Sequence, residues 1–412
     1  MRLAWIAVAV AVIGGLAVGA YFALSELTGD EEEAPAPAVA VDEEEGDAPQ
    51  AHAAEELGFP AFATKNTTRV GGHDATANAA GVALAAFPSA AGVEGPAAVA
   101  LVPSSDWAAG IAASVLVADP VRAPLLLSDR DEVPEQTETA IDALGPRGSA
   151  ETSDAQVFRI GEVRAPGDLR SIDVAGGDPA ELADAVDKLR QRLVDSEPEH
   201  IVVVSSEDPA FAMPAAAWAA RSGDPVLFVE RDSVPRATIE ALKRHESSPV
   251  FVLGPESVAS QKVLNEVDKI VPSVQRVSGK DPVTNAIAFA RFDAGSFGWN
   301  ITDPGHGLVV ANASQPLDAA AGSALSASGK WGPLLLTEDA DAVPASLRGF
   351  LLDIKPGYFN DPTRGFYNHA WLIGDSGELS VGFQAQVDDA LELTKIEAAP
   401  GQPGAPEREP RP

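Results

Sequence analysis

The chain has 412 residues, with 61 Asp and Glu against 29 Lys and Arg, so its formal net charge at pH 7 is −32. This acidity argues against nucleic acid as a partner, because phosphate binding needs a clustered cationic face. The absence of cysteine excludes disulfides, thiolate nucleophiles and Cys-ligated metal centres. Since 45% of the residues are hydrophobic, the chain can bury a substantial core.

The amino terminus predicts a membrane anchor in residues 1–24. Residues 3–24 carry no charge, and at about 1.5 Å per residue they can cross a hydrocarbon core of about 30 Å. Arg2 precedes this run and acidic residues follow it, so the positive-inside rule places most of the chain outside the cell. We therefore expect a single-pass membrane protein with an external ectodomain. A cleaved signal peptide, cut after Val18–Ala20, is the alternative.

Two further segments have compositions typical of unfolded chain. Residues 25–65 are rich in Glu, Asp, Ala and Pro and predict an extended, acidic, disordered linker. Residues 395–412 combine Pro, Gly and charge and predict a disordered tail.

Between these segments one unit occurs three times, in predicted repeats at 66–170, 171–275 and 276–394. Each copy starts with Val, Gly and Asp in the same order, and the starting valines are 104 and 103 residues apart in Val70–Asp74, Val174–Asp178 and Val277–Asp281. An Ala-rich helix is predicted to follow each start, near Thr76, Pro179 and Pro282.

Each copy continues with alternating strand and helix patterns. A buried strand is predicted at 99–102, 201–204 and 308–310, and a second strand follows Pro124, Pro225 and Pro333. A Val-Pro pair then predicts the start of another helix, and a last apolar strand ends at Gly161, Gly254 and Gly374. This alternation predicts an α/β fold of three tandem, doubly wound, Rossmann-like modules with parallel sheets.

These features resemble the cell wall-binding repeat 2 family of prokaryotic surface proteins. The resemblance covers about residues 69–393 and rests on the repeated start, the P-L-L-L strand, the strand ending in Gly and the segment Asp318–Ala321. It implies a pseudo-threefold arrangement of modules that hold the protein to anionic wall polymers. It also makes Asp318 a candidate ligand-binding residue, although the first two copies have Gly110 and Ala212 at that position.

Polar loops after the first strand of each copy are candidate ligand sites, because ligands bind at strand ends in open α/β sheets. They predict Asp106, Asp208 and Ser314 as ligand-binding residues, which contact sugar hydroxyls or coordinate Ca²⁺ or Mg²⁺ ions that bridge to a polymer. The alternative is that these side chains cap the helices that follow.

The third copy carries two insertions rich in aromatic residues. One lies between Asp293 and His306 and contains Trp299, and the other contains Tyr358, Arg364 and Tyr367. Such side chains could stack on sugar rings, or pack on their own module. Among the basic residues, Arg69, Arg276 and Arg291 are candidates for a local anion-binding cluster, with ordinary ion pairs as the alternative.

No pattern indicates catalysis or a metal centre. Gly374–Gly377 matches the string around a serine protease nucleophile but predicts a strand-end turn here, and the six His form no metal-binding spacing. The leading hypothesis is a membrane-anchored extracellular protein, not an enzyme, that binds cell-envelope polysaccharide or anionic polymer non-covalently. The alternatives are an envelope peptidoglycan hydrolase and a structural or protein-binding ectodomain.

Overall fold

The computed structural model describes residues 62–87, 95–327 and 332–396. The strands are β1 (Phe62–Ala63), β2 (Thr67–Val70), β3 (Val99–Pro103), β4 (Leu125–Ser128), β5 (Val157–Ile160), β6 (Ser171–Val174), β7 (Ile201–Ser205), β8 (Val226–Val229), β9 (Val250–Leu253), β10 (Val274–Val277), β11 (Gly307–Asn312), β12 (Leu334–Thr337), β13 (Gly357–Tyr358), β14 (His369–Ile373) and β15 (Thr394–Lys395). The helices are α1 (Ala75–Ala86), α2 (Trp107–Ala113), α3 (Glu135–Leu144), α4 (Pro179–Leu193), α5 (Pro209–Ser222), α6 (Arg236–Arg244), α7 (Gln261–Val267), α8 (Pro282–Arg291), α9 (Leu317–Ala327), α10 (Ala345–Asp353) and α11 (Val381–Leu391).

The Asp that ends each repeated start is a helix cap. Asp74, Asp178 and Asp281 precede α1, α4 and α8, and each carboxylate accepts a hydrogen bond from the backbone N–H three residues later, at 2.8, 2.9 and 2.7 Å. These bonds satisfy N–H groups that have no partner within the helix. The repeated motif is thus a strand, a tight turn and a helix cap.

The strands form three parallel sheets, which confirms the predicted α/β fold. Sheet I has the order β4-β3-β5-β6, sheet II has the order β8-β7-β9-β10, and sheet III has the order β12-β11-β14-β2-β1. Neighbouring strands in these sheets are parallel, except that β1 pairs with β2 in the antiparallel direction. A small parallel pair, β13 with β15, joins the second insertion to the C-terminal end of the described chain.

One strand of each sheet comes from the start of a different repeat. We call these three strands, β6 in sheet I, β10 in sheet II and β2 in sheet III, the closing strands. The strand β6, from the start of the second copy, pairs with β5, and β10 from the third copy pairs with β9. Sheet III takes β2 from the amino-terminal end, with Val70 opposite Ile373. The helix after each closing strand packs on the next sheet, because α1 contacts β4, α4 contacts β8 and α8 contacts β12. The chain therefore forms one closed assembly in which its first copy completes its last sheet.

Three Ala-rich helices lie at the centre of the assembly. The helices α2, α5 and α9 follow the strands β3, β7 and β11, and they contact one another pairwise. A Cβ added to Gly110 in α2 would lie 2.7 Å from the Cβ of Ala320 in α9, so the backbones approach closely there. Small side chains permit this approach. The predicted pseudo-threefold relation between the modules stays a prediction.

The first insertion fills the interface between sheet II and the third copy. Phe297 is fully buried, and its ring stacks on Phe251 of β9 at 3.6 Å between centroids. Trp299 is half-buried and meets Trp218 of α5 edge-on at 5.4 Å. Trp299 therefore packs against α5 of the second copy, and glycan binding by this residue stays a prediction.

In the three described ranges, no helix is both long and apolar enough to span a membrane. The predicted anchor in residues 1–24 lies outside these ranges, as does most of the predicted linker and tail. Within the predicted linker, Phe62–Ala63 form β1, and Lys395 of the predicted tail lies in β15. The residue limits of the three repeats stay predictions.

Candidate functional site

The carboxyl edge of sheet III brings together the loops after β2, β11 and β14. Because these strands are parallel, they all end on the same side of the sheet, where ligands bind in open α/β folds. Four carboxylates reach this edge, and we call them the acidic edge: Asp74, Asp318, Asp375 and Glu378.

Arg69 holds the loop that forms one wall of the acidic edge. The side chain is buried and donates from Nη1 to the backbone carbonyls of Gly374 and Asp375 at 2.8 and 2.9 Å. Its Nε donates to Oε1 of Gln384 at 3.0 Å, and Gln384 in turn donates to Thr67. Arg69 thus fixes the position of the loop after β14 by charge-assisted hydrogen bonds.

The three candidates for an anion-binding cluster, Arg69, Arg276 and Arg291, each have an intramolecular partner for the guanidinium. Arg276 repeats the role of Arg69 and donates to the carbonyls of Gly254 and Ala259, both at 2.7 Å. Arg291 pairs with Asp353 at 2.5 Å and lies over the ring of Phe350. The ion-pair and structural alternative describes these residues.

Asp318 is the buried member of the acidic edge. It lies in the first turn of α9 with 1% of its surface exposed, and its Oδ1 accepts a hydrogen bond from Nδ2 of Asn78 at 3.0 Å. No hydrogen-bond donor among the described residues reaches its Oδ2, which is buried. Burial raises the pKa of Asp318 to about 7, and the negative charge of Glu378 adds to this shift.

Asn78 connects the repeated start of the first copy to Asp318 of the third. Its Oδ1 accepts from the N–H of Gly72 at 2.8 Å, and its Nδ2 binds Asp318. The matching Asn285 accepts from Gly279 in the same way at 3.1 Å, but its buried Nδ2 has no partner within the described chain. The helix of Asn285 contacts α5 of the second copy, where the residue matched to Asp318 is Ala212, which has no side-chain acceptor.

Glu378 faces the same edge. Its Oε2 is a second buried oxygen without a hydrogen-bond donor in the described ranges, and any side chain at Gly374 would collide with it. Burial and the neighbouring carboxylate of Asp375 raise the pKa of Glu378. Its backbone carbonyl accepts from Nδ2 of Asn312 at 3.0 Å, at the end of β11.

Asp375 settles the interpretation of the Gly374–Gly377 string. Its Oδ1 accepts from the backbone N–H groups of Gly377 and Glu378 at 2.6 and 3.1 Å, which makes a side-chain-stabilised turn. The string is therefore the strand-end turn that the sequence predicts.

Two oxygens of the acidic edge, Oδ2 of Asp318 and Oε2 of Glu378, are buried acceptors without a hydrogen-bond donor among the described residues. Because burial raises the pKa of Asp318 to about 7, this carboxyl is partly protonated at neutral pH. Its burial keeps it from solvent, and ligand binding by Asp318 stays a prediction. Within the described ranges, no three or more His, Asp or Glu side chains are placed to hold a metal ion.

The other predicted strand-end residues lie at the carboxyl edges of their sheets. The carboxylate of Asp106 accepts from the N–H of Ala109 at 3.0 Å and caps α2, as the capping alternative predicts. Asp208 precedes α5 but makes no side-chain capping bond. Ser314 is exposed and donates from its hydroxyl to Oδ1 of Asn312 at 2.8 Å. Ligand binding by these three residues stays a prediction.

The second insertion leaves part of its predicted aromatic platform at the surface. Tyr367 is 54% exposed, and its hydroxyl donates to the carbonyl of Pro362 at 3.0 Å, next to the exposed Arg364. Tyr358 is half-buried in β13, where its carbonyl accepts from the N–H of Ile396 at 2.7 Å. The structure leaves both Tyr367 and Arg364 exposed in the second insertion and places Trp299 in a different interface.

Sequence reasoning missed Asn78, Glu378 and Gln384. Asn78 lies four residues after Asp74, and Asn285 lies four residues after Asp281. This recurrence in the sequence could have identified Asn78. Glu378 and Gln384 occur once, and only the fold brings them to Arg69 and Asp318.

No family model matches the sequence, and no curated protein matches it. Two solved structures, of the cell wall proteins Cwp6 and Cwp8 from Clostridium difficile, share its fold. Cwp6 has a TM-score of 0.59 and 19% sequence identity, over 79% of this chain and 48% of its own. Cwp8 has a TM-score of 0.60 and 19% identity, over 80% of this chain and 52% of its own. The chain thus spans about half the length of each.

Proposed function

We propose that this chain is a cell-surface protein that binds a polymer of the cell envelope non-covalently through its three-module assembly. The observation that carries the proposal is the fold that it shares with Cwp6 and Cwp8 over about four fifths of its length. The predicted apolar helix in residues 1–24 holds the protein at the membrane, and the acidic linker gives the modules reach toward the wall.

Binding at the strand-end edges favours a polymer rich in hydroxyl groups. Asp106, Asp208 and Ser314 lie at the carboxyl edges of the three sheets, each in the loop after a central strand. Repetition of a weak site on one rigid scaffold raises the overall affinity for a polymer, which presents many copies of its own unit.

Charge restricts how an anionic polymer is held. The chain has a formal charge of −32, and Arg69 and Arg276 are engaged with backbone carbonyls. An anionic polymer is therefore bound through bridging Ca²⁺ or Mg²⁺, which screen carboxylates on both partners. A neutral polysaccharide needs no such bridge.

Sedimentation of the full-length chain with membrane-free envelope fractions, across a salt series with Ca²⁺ or a chelator, tests the proposal. We expect the chain to pellet with the envelope, and chelation to abolish pelleting if the polymer is anionic. An envelope that retains no protein under any of these conditions contradicts the proposal. A peptidoglycan hydrolase would instead release soluble wall fragments in the same tubes.

Variants then locate the binding surface. Asp106→Asn, Asp208→Asn and Ser314→Ala combined remove groups at three edges, and Tyr367→Ala with Arg364→Ala removes the aromatic surface. Arg236→Ala, whose side chain is 91% exposed on α6, is the matched control for the loss of one cation. We expect the edge variant to weaken pelleting more than the aromatic variant, and the control to pellet like the unmodified chain.

A further inference from the structure

A serine, a histidine and an aspartate are aligned at the interface between sheet II and the first insertion. The hydroxyl oxygen of Ser296 lies 3.1 Å from Nε2 of His200, and Nδ1 of His200 lies 3.2 Å from Oδ2 of Asp224. Ser296 comes from the insertion, His200 directly precedes β7, and Asp224 directly follows α5 and Gly223. Because the three are far apart in the sequence, no local motif reveals them.

Asp224 is held firmly behind the histidine. It is 1% exposed, and its Oδ1 accepts from the backbone N–H of His200 at 3.0 Å. Its Oδ2 also accepts from Nε1 of Trp218 at 2.8 Å. A buried carboxylate with several donors keeps a fixed position and can orient an imidazole ring.

The ring of His200 is equally constrained. It is 5% exposed and meets the rings of Phe251 and Phe297 edge-on, at 5.6 and 5.3 Å between centroids. Since Asp224 only accepts, Nδ1 carries the proton in the neutral ring and donates it to Asp224. The lone pair of Nε2 is then directed at the hydroxyl of Ser296, so His200 is placed to act as a general base.

Ser296 is the accessible member of the three. It is exposed, whereas the next residue, Phe297, is fully buried and anchors the loop. The glycines on either side of this pair, Gly295 and Gly298, have φ values of +78° and +106°, which other residues rarely adopt. The loop thus presents one hydroxyl to solvent above a buried His and Asp.

We propose that Ser296 is a nucleophile that removes acyl groups from esters, with His200 as general base and Asp224 as positioning residue. Ser296 attacks the ester carbonyl while its proton moves to Nε2 of His200. The C–O bond then breaks, and His200 returns that proton to the leaving alcohol. Water hydrolyses the acyl-serine by the same two steps and regenerates the serine, so no further reactant is needed.

The substrate class follows from exposure. Because Ser296 lies on an exposed loop, the alcohol part of the ester can be a large molecule, such as an O-acylated polysaccharide. This activity goes beyond the proposed binding function and is independent of it, since Ser296 lies in an interface away from the strand-end loops of sheet III. It revises the expectation that the chain carries no catalytic group.

Labelling of the full-length chain with a fluorophosphonate probe, and its hydrolysis of p-nitrophenyl acetate, test the proposal. We expect labelling at Ser296 that Ser296→Ala abolishes, and hydrolysis that His200→Gln lowers by about a hundredfold, as for a lost general base. Asp224→Asn should lower the rate and shift its pH profile, which a structural role alone would not do. Ser171→Ala, at an exposed serine of β6, is the control and should label normally.

A second test does not depend on detecting turnover. Since the chain has no cysteine, Ser296→Cys introduces a single thiol next to His200. At about pH 6.5 we expect iodoacetamide to alkylate it about tenfold faster than the thiol of Ser171→Cys, because a neighbouring imidazole stabilises the thiolate. Adding His200→Gln should remove the difference. Equal alkylation rates for Ser296→Cys and Ser171→Cys, or probe labelling that survives Ser296→Ala, overturn the proposal. Neither result affects the proposed binding to the envelope.

Discussion

Sheets I and II differ from sheet III in the origin of their closing strands. In sheets I and II the closing strand follows its neighbour directly along the chain, whereas in sheet III β2 comes from the opposite end of the described chain. Bringing distant segments together costs more loop-closure entropy and is slower. Sheet III is therefore complete only when the whole assembly has formed.

The polar contacts around the closing strands differ in the same way. In sheet III, Arg69 is buried and bonded to the backbone of the adjacent loop and to Gln384. In sheet I the matching residue is Asp173, which forms a more exposed ion pair with Arg159 at 3.1 Å. The sheet with the most distant closing strand thus has the more buried polar network, which fixes the strand and shapes the acidic edge.

The largest effect is expected from a charge in the closing strand of sheet III. Val70 is fully buried, so Val70→Asp should lower the free energy of unfolding by at least about 4 kcal/mol. Hydrogen exchange should show lost protection in β2 and β14, with sheet II still protected. Val174→Asp, at the equivalent buried position of β6, should expose β5 instead. Equal loss of protection across all three sheets in both variants would contradict this separation.

The next effect concerns Asp318 and depends on pH. Its pKa of about 7 lies above the ordinary value of 3.8, so the folded chain binds more protons than the unfolded chain between these values. Stability therefore falls as the pH rises through this window, by up to about 4 kcal/mol. Asp318→Asn removes this loss and should be more stable than the unmodified chain at about pH 8.

Chemical denaturation at several pH values measures the effect. The stabilisation by Asp318→Asn should disappear below about pH 3, where Asp318 of the unmodified chain is protonated in both the folded and the unfolded state. Asp208→Asn, at a partly exposed carboxylate in the equivalent loop, is the control and should change stability little at any pH. A stabilisation of Asp318→Asn that does not vary with pH would contradict the explanation.

The two matched arginines should differ in importance. Arg69→Ala leaves buried carbonyls and Gln384 without their donor and should cost about 3 kcal/mol, whereas Arg276→Ala, at a half-buried position, should cost about 1 kcal/mol. Denaturation midpoints compare the two variants. A larger cost for Arg276→Ala would mean that sheet III does not depend on its buried polar network.

The smallest effects compare two glycines in the central helices. Gly110→Ala forces a methyl group against Ala320 and should destabilise the chain by about 1–3 kcal/mol. Gly322 in α9 has room for a methyl group, with the nearest atoms at 3.4 Å, so Gly322→Ala should stabilise the chain by about 0.5–1 kcal/mol. Thermal unfolding should shift in opposite directions, and shifts of the same sign would contradict the close helix approach.

Much of the local structure could be predicted because it depends on short-range patterns. The apolar run at 201–204 corresponds to β7, and the Asp of each repeated start lies where a helix cap is needed. The strand after Pro333 and the turn at Gly374 were likewise visible, since Pro, Gly and buried apolar runs act within a few residues.

The connections between copies could not be predicted in this way. The strand at Ser171–Val174 looks like the beginning of its own repeat, and nothing in its apolar pattern says that it joins β5 of the previous copy. The contact between Asn78 and Asp318 could not be predicted either, because tertiary packing decides which distant residues meet and are buried. The family resemblance identified Asp318 as a candidate residue, whereas its contact with Asn78 and its raised pKa became visible only in the structure.

Closure of sheet III by the amino-terminal strand is tested most directly by crosslinking in this cysteine-free chain. The hydroxyl of Thr68 in β2 lies 3.0 Å from Nε2 of His369 in β14, so Thr68→Cys with His369→Cys places two thiols on neighbouring strands, within reach of a short linker. A short bifunctional thiol reagent should join them within one chain, and Thr68→Cys with Ser171→Cys should remain unlinked. Failure of the first pair to crosslink, or links only between two chains, would contradict a closed three-module assembly.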